Sequence, residues 1–273
     1  MFTLFAMLAF AGNSLLCRAA LRDSQIDPTT FTALRLISGA VVLWLLLILR
    51  PGVWKPTGSW PGAAALFVYA AAFSYAYVDL DAGAGALLLF GAVQLSMVTW
   101  GLARGERLSR WQAAGMVMAG AGLTALLLPE TSAPSITSSL LMVLAGCAWG
   151  AYSLLGKKTA DPLAATAGNF LRTLPMAALL GLTTLNQLEW NSAGVVYALL
   201  SGGLASGIGY ALWYAALPGL AAVQAASVQL SVPLITALAG VLLLGETLTA
   251  SAMTAGAAIL IGITLVLRFK QRS

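Results

Sequence analysis

The sequence is a succession of continuous apolar stretches, each close to 20 residues long, separated by short clusters of proline, glycine and charge. A helix needs about 20 such residues to cross the hydrocarbon core of a bilayer. Strands of a membrane barrel would alternate in polarity, and these stretches do not. Only 8% of the residues are charged and mean hydropathy is +0.89, whereas a soluble fold carries roughly a quarter charged residues. The chain reads as an all-α integral membrane protein.

Punctuation by proline, glycine and charge predicts ten transmembrane helices, at about 1–19, 28–49, 61–78, 82–101, 111–128, 136–155, 163–182, 194–216, 219–244 and 249–267. Pro28, Pro61 and Pro162 stand at or just before helix starts, where a missing N–H costs nothing. The first stretch lacks a basic leader and reads as a span rather than a cleaved signal. With the N-terminus in the cytosol, the inside segments hold ten basic and two acidic residues, while the outside segments hold only Arg18 and Arg22 against seven acids. This positive-inside bias predicts both termini in the cytosol and a bacterial-type inner membrane location. Residues 269–273 form a short cytosolic tail.

The two halves repeat. Gly105-Glu106-Arg107-Leu108-Ser109 parallels Gly245-Glu246-Thr247-Leu248-Thr249, and Gly122 then aligns with Gly262. Val93-Gln94-Leu95-Ser96 matches Val228-Gln229-Leu230-Ser231, Tyr75-Ala76 matches Tyr210-Ala211, and Arg35 aligns with Arg172. Five helices per repeat is an odd number, so the second copy would enter the membrane inverted, as in many carriers. The expected units are 1–128 and 136–268.

On these Gly-Glu elements, the paired arginines and the Tyr210-to-Leu217 stretch, the chain resembles the EamA branch of the drug/metabolite transporter superfamily over nearly its whole length. The resemblance implies a ten-helix exporter-type carrier of small metabolites. It also implies a central cavity lined by helices 1–4 and 6–9, with helices 5 and 10 peripheral.

Polar residues at membrane depth are candidates for a solute path. Gln94 and Gln229 are mid-span and symmetry-related. They read either as solute ligands or as hydrogen-bonding glue between helices. Pro233 would free the carbonyl of residue 229 and kink its helix, Pro175 would do the same at Leu171, and Gln224 would lie nearer the cytosolic mouth. Asn13, Trp149 and Tyr152 form a further candidate wall. Tyr210, Trp213 and Tyr214 share a helical face with Gly203, Ser206 and Gly207 by three- and four-residue spacing. The topology puts that face near one membrane surface and Tyr75 and Tyr77 near the other, as interfacial belts or as gates. Arg35 and Arg172 read either as carboxylate ligands or as structural charges paired with loop acids such as Asp27 and Asp161. Glu106 and Glu246 would serve the positive ends of the fifth and tenth helices.

The chain has no histidine, and its two cysteines lie in apolar runs, so neither metal nor cofactor is expected. No acid lies inside a predicted span, which disfavours proton-driven export of cationic drugs, the alternative within the superfamily. A membrane-embedded lipid or polyprenyl transferase is the alternative of another class. The expected partners are a small-molecule solute and membrane lipid, with no nucleic acid. The coupling ion is left open. Gly115 with Ala119 and Gly256 with Leu260 form partial small-residue faces, which leaves monomer or weak dimer. The leading expectation is secondary transport of amino acids or related neutral and zwitterionic metabolites across the inner membrane by alternating access, as export.

Overall fold

A computed structural model describes residues 1–24, 26–50, 55–105, 109–127, 135–156, 159–185, 189–216, 228–229 and 231–268. Among the described residues there are ten helical elements and no strand. They are α1 (Phe2–Asp23), α2 (Pro28–Leu49), α3 (Trp60–Ala76), α4 (Ala82–Ala103), α5 (Arg110–Leu127), α6 (Ile136–Gly156) and α7 (Pro162–Thr183). Then come α8, α9 (Ser231–Leu244) and α10 (Ala250–Arg268). Element α8 is compound: an α-helix over Ser192–Leu199, a π-helical stretch over Leu200–Ile208, and a last α-helical stretch over Gly209–Ala216.

The helix starts follow from local chemistry. Pro28 and Pro162 open α2 and α7, preceded by the capping carboxylates of Asp27 and Asp161. Asp27 accepts from the N–H groups of Thr29 and Thr30, both at 2.9 Å. Ser59 caps α3 and Asn191 caps α8 in the same manner.

Six helices are long and apolar enough to cross a membrane by themselves: α1, α2, α4, α6, the Ser192–Trp213 part of α8, and α10. The described part of α9 has 14 residues and α3 has 17. Polar groups dilute the other two, among them Arg110 and Gln112 in α5 and Asn169 and Arg172 in α7. The exterior is apolar, with Leu242, Val117 and Leu179 largely exposed. Such a surface is stable against lipid rather than water.

Neighbour relations come in matched pairs. Helix α1 packs on α8 and α9, and α6 packs on α3 and α4. Likewise α2 packs on α8 while α7 packs on α3, and α2 meets α7 as α5 meets α10. Exchanging each helix with the one five places away returns these pairs, whereas the contacts of α4 with α1, α5 and α10 have no comparable counterpart among the described residues.

The small-residue faces are consumed inside the chain rather than left for a partner. A Cβ at Gly115 would lie 2.5 Å from the Gly262 carbonyl, and one at Gly122 would lie 2.8 Å from the Ala255 carbonyl, so α5 and α10 cross in close contact. Gly256 faces Leu87 of α4. Gln112 adds a hydrogen bond from Nε2 to the Val266 carbonyl, 3.2 Å.

Candidate functional site

A chain of polar groups crosses the middle of the bundle. Ser201 Oγ of α8 donates to Asn13 Oδ1 of α1 at 2.7 Å, and Asn13 Nδ2 donates to the Tyr69 hydroxyl of α3 at 3.3 Å. Arg35 Nη2 of α2 donates to the same hydroxyl at 3.1 Å. The guanidinium also lies 4.9 Å from the Phe73 ring centroid and 5.2 Å from that of Tyr69, within cation–π range.

Aromatic rings enclose this chain. Trp149 lies 4.8 Å from Tyr69, 5.1 Å from Tyr210 and 5.5 Å from Tyr152, centroid to centroid. Phe10 meets Tyr210 at 5.9 Å and Trp213 at 6.1 Å. Between them is a cavity of about 20 Å³ lined by Asn13, Tyr69, Phe73, Trp149, Ser206, Tyr210 and Gln229, among others. That is room for about one water molecule. A larger groove of about 920 Å³ lies against α4, α9 and α10, lined largely by apolar side chains such as Leu87, Leu234 and Leu238 and also by Asp79, Asp81 and Glu246. We place the site at the smaller cavity, because buried polar groups converge there and apolar clefts between membrane helices suit lipid.

The structure thus brings Asn13, Trp149, Tyr210 and Gln229 around one cavity, with Tyr152 and Trp213 in the ring cluster beside it. Gln94 is buried in α4 but does not line that cavity. Tyr75 is half-buried and its hydroxyl pairs with that of Thr29 at 2.7 Å. Gln224, Glu106 and the side chain of Tyr214 lie outside the described residues, as do residues 217–227 and 230. Pro233 itself sits in the first turn of α9 and lines the apolar groove. Pro175 lies inside α7, which continues past it to Thr183.

Several expectations change. Tyr77, Tyr210 and Trp213 are buried and pack on other rings, so they are not interfacial belts. The shared face of Gly203, Ser206 and Gly207 is split, since Gly203 and Gly207 face Val42 of α2 while Ser206 faces the cavity. The cause is the π-helical stretch, whose wider turn brings residues five apart, Ser201 and Ser206, to the site side. Arg35 does not pair with Asp27, which instead caps α2 and accepts from the Glu189 N–H at 2.9 Å. Arg172 does not pair with Asp161, which holds Arg50 at 3.0 Å. Its Nη1 donates to the carbonyls of Thr57 (2.5 Å) and Gly168 (2.9 Å).

Glu246 serves a different helix from the one expected. Its carboxylate accepts the Ala82 N–H at 2.9 Å, so it sits on the positive end of α4 rather than of α10. It also lies 3.4 Å from Arg18 Nε, and Arg18 reaches Asp81 at 3.2 Å and the carbonyls of Tyr77 and Val78. Arg18, expected in an external loop, is buried within α1. Burial raises the Glu246 carboxyl above the ordinary carboxylate value, and the neighbouring Asp81 adds to the rise. The Ala82 N–H and the guanidinium groups of Arg18 and Arg22 oppose it.

Sequence reasoning passed over Phe10, Tyr69, Phe73, Ser201 and the Arg18 cluster, and took Ser206 only as part of a small-residue face. Tyr69 was open to the same polar-at-depth rule that singles out Gln94. α-Helical spacing does not link Ser201 to Ser206, because their five-residue separation belongs to the π-helix.

The comparisons with known proteins agree with this architecture. The EamA-like transporter family model matches residues 1–128 and again 136–268. An uncharacterized protein of Pseudomonas aeruginosa is 62% identical over 97% of this chain and 93% of its own length. An uncharacterized transporter of Archaeoglobus fulgidus is 27% identical over 85% of this chain and 84% of its own, and the uncharacterized transporter YwfM of Bacillus subtilis is 27% identical over 90% and 86%. A solved crystal structure superposes with a TM-score of 0.66 at 19% identity, covering 98% of this chain and 96% of that one, which is a likeness of fold.

Proposed function

Because this chain belongs to the EamA-like transporter family and is a multi-pass membrane transporter, we propose that it moves amino acids or related zwitterionic metabolites through the Asn13–Tyr69–Gln229 cavity by alternating access. The observation that carries this reading is a small cavity with largely aromatic and aliphatic walls, at which polar groups from α1, α3 and α8 converge with Arg35 of α2 behind them. A pocket with an apolar wall and a few convergent polar groups fits a small solute with both kinds of surface. In this reading ten helices cross an inner membrane as two inverted repeats, 1–128 and 136–268, with both termini cytosolic and export as the direction.

The α5–α10 crossing supports the inversion. In the sequence register that aligns Gly122 with Gly262, Gly115 aligns with Ala255. The Gly115–Gly262 contact therefore exchanges with the Gly122–Ala255 contact, as at a two-fold axis. The paired neighbour relations of the other helices support it in the same way. A solute cavity between such halves can open to each side in turn.

Proton-coupled export is a second reading, favoured by one observation: Glu246 is a buried carboxylate whose proton affinity is raised, seated between α1 and α4. Family and transporter-named relatives favour transport over a membrane-embedded transferase.

The test is counterflow of labelled leucine and phenylalanine in proteoliposomes. Gln229→Ala and Gln94→Ala are each expected to lower flux per folded protein, Gln229→Ala the more because it lines the cavity. Unchanged flux in both variants would remove the site assignment.

A further inference from the structure

The Tyr69 hydroxyl receives two donors, Asn13 Nδ2 and Arg35 Nη2. A phenol oxygen has two lone pairs and one hydrogen, so with both pairs engaged its own hydrogen is left to donate. Among the described residues no acceptor takes it, and Tyr69 lines the cavity. The Ser206 hydroxyl lines the same cavity, is 1% exposed and has no partner. Behind Tyr69 and Phe73 stands Arg35, 2% exposed, with Nη1 unpartnered and no carboxylate paired to it among the described residues. Residues 217–227, which precede Gln229, contain no acid either.

These are donors and one full positive charge gathered with no carboxylate among the described residues. An unpaired guanidinium in a membrane interior is costly, and one partner removes much of that cost. Resting on the transport reading of this cavity, we propose that Tyr69, Ser206 and Arg35 form an anion subsite that receives the carboxylate of the solute. The Tyr69 and Ser206 hydroxyls donate to the carboxylate oxygens. Arg35 polarises the Tyr69 hydroxyl through its hydrogen bond and balances the charge from behind. The single cation matches a monoanion, where a phosphate dianion would ask for more. Trp149, Tyr210 and Phe10 then face the rest of the solute with ring surfaces suited to an apolar body. The 20 Å³ cavity is the closed form of this subsite, so a solute enters as the rings part.

Thermal shift of the purified full-length protein tests the proposal with matched acids and amides: phenylalanine against phenylalaninamide, and 3-phenylpropionate against 3-phenylpropionamide. Ligand binding raises the midpoint by mass action. At least one acid is expected to raise it, and its amide is not. Arg35→Met is expected to abolish the shift while its ligand-free midpoint stays at or above that of the parent, since the uncompensated charge is gone. Ser206→Ala and Tyr69→Phe are expected to weaken acid binding about tenfold, and Tyr69→Phe keeps the ring if Arg35→Met does not fold. A shift by 3-phenylpropionate but not phenylalanine supports the subsite and defeats the amino-acid reading. Amides that match their acids, an acid shift that survives both Arg35→Met and Tyr69→Phe, or no shift from either acid, would overturn the subsite and leave the transport reading standing.

Discussion

Arg35 and Arg172 occupy the same place in the two sequence repeats, yet they have opposite surroundings. Arg172 is half-buried and spends one nitrogen on two backbone carbonyls, tying α7 to the 55–59 segment. Arg35 is fully enclosed, touches two aromatic rings and one hydroxyl, and leaves a nitrogen unpaired beside the cavity. Arg18 supplies the third case: it is buried like Arg35 but held by Asp81, Glu246 and two carbonyls. A repeat therefore preserves where a charge sits along a helix without preserving what that charge does. Partners decide the role.

The comparison can be broken at the glycines that seat each arginine. A Cβ at Gly202 would fall on the Arg35 carbonyl and Ser38 Oγ, and one at Gly168 would fall on the Thr57 carbonyl. Backbone cannot yield as a flexible side chain can, so Gly202→Ala is expected to cost about 3 kcal/mol by overpacking α8 against α2. The yield of folded protein and its unfolding midpoint check this. Arg172→Ala is expected to come next, at about 1–2 kcal/mol for lost charge-assisted hydrogen bonds, with flux per folded protein unchanged. A fall in flux without a fall in stability would reverse the assignment of Arg172. Ser201→Ala removes one buried bond to Asn13 and is expected to cost about 1 kcal/mol, read from the same midpoint.

The smallest effect sharpens the Arg18 case. Burial raises the Glu246 carboxyl above its ordinary value of 4.5, so the folded chain holds that proton more tightly than the unfolded chain. Its contribution to stability is fully present below about 4.5 and declines as pH rises through the raised folded value, then levels off. Glu246→Gln is expected to flatten that part of the pH–midpoint curve. A parent curve that instead rises with pH across the same window, and flattens in the variant, would mean that Arg18 outweighs burial.

Much of the helical plan was legible in the sequence because lipid imposes it. Apolar length and charge punctuation gave starts at Pro28, Pro162 and Ile136 that the structure shares within a residue. Asn13, Trp149, Tyr210 and Gln229 were legible as candidates because polar and aromatic groups at depth are few. What sequence could not show was direction around a helix once its period changed. The π-helical stretch of α8 turned Gly203 and Gly207 toward Val42 and brought Ser201 and Ser206 to the site. Long-range partners were equally hidden, since nothing near Glu246 in sequence points to the Ala82 N–H or to Arg18.

The most direct test measures flux and midpoint together for Arg35→Met and Arg172→Met in parallel preparations. The account predicts that Arg35→Met loses carboxylate-solute flux at an unchanged or raised midpoint, while Arg172→Met keeps flux per folded protein at a lowered midpoint. Equal behaviour of the two variants, or flux retained by Arg35→Met, would contradict it.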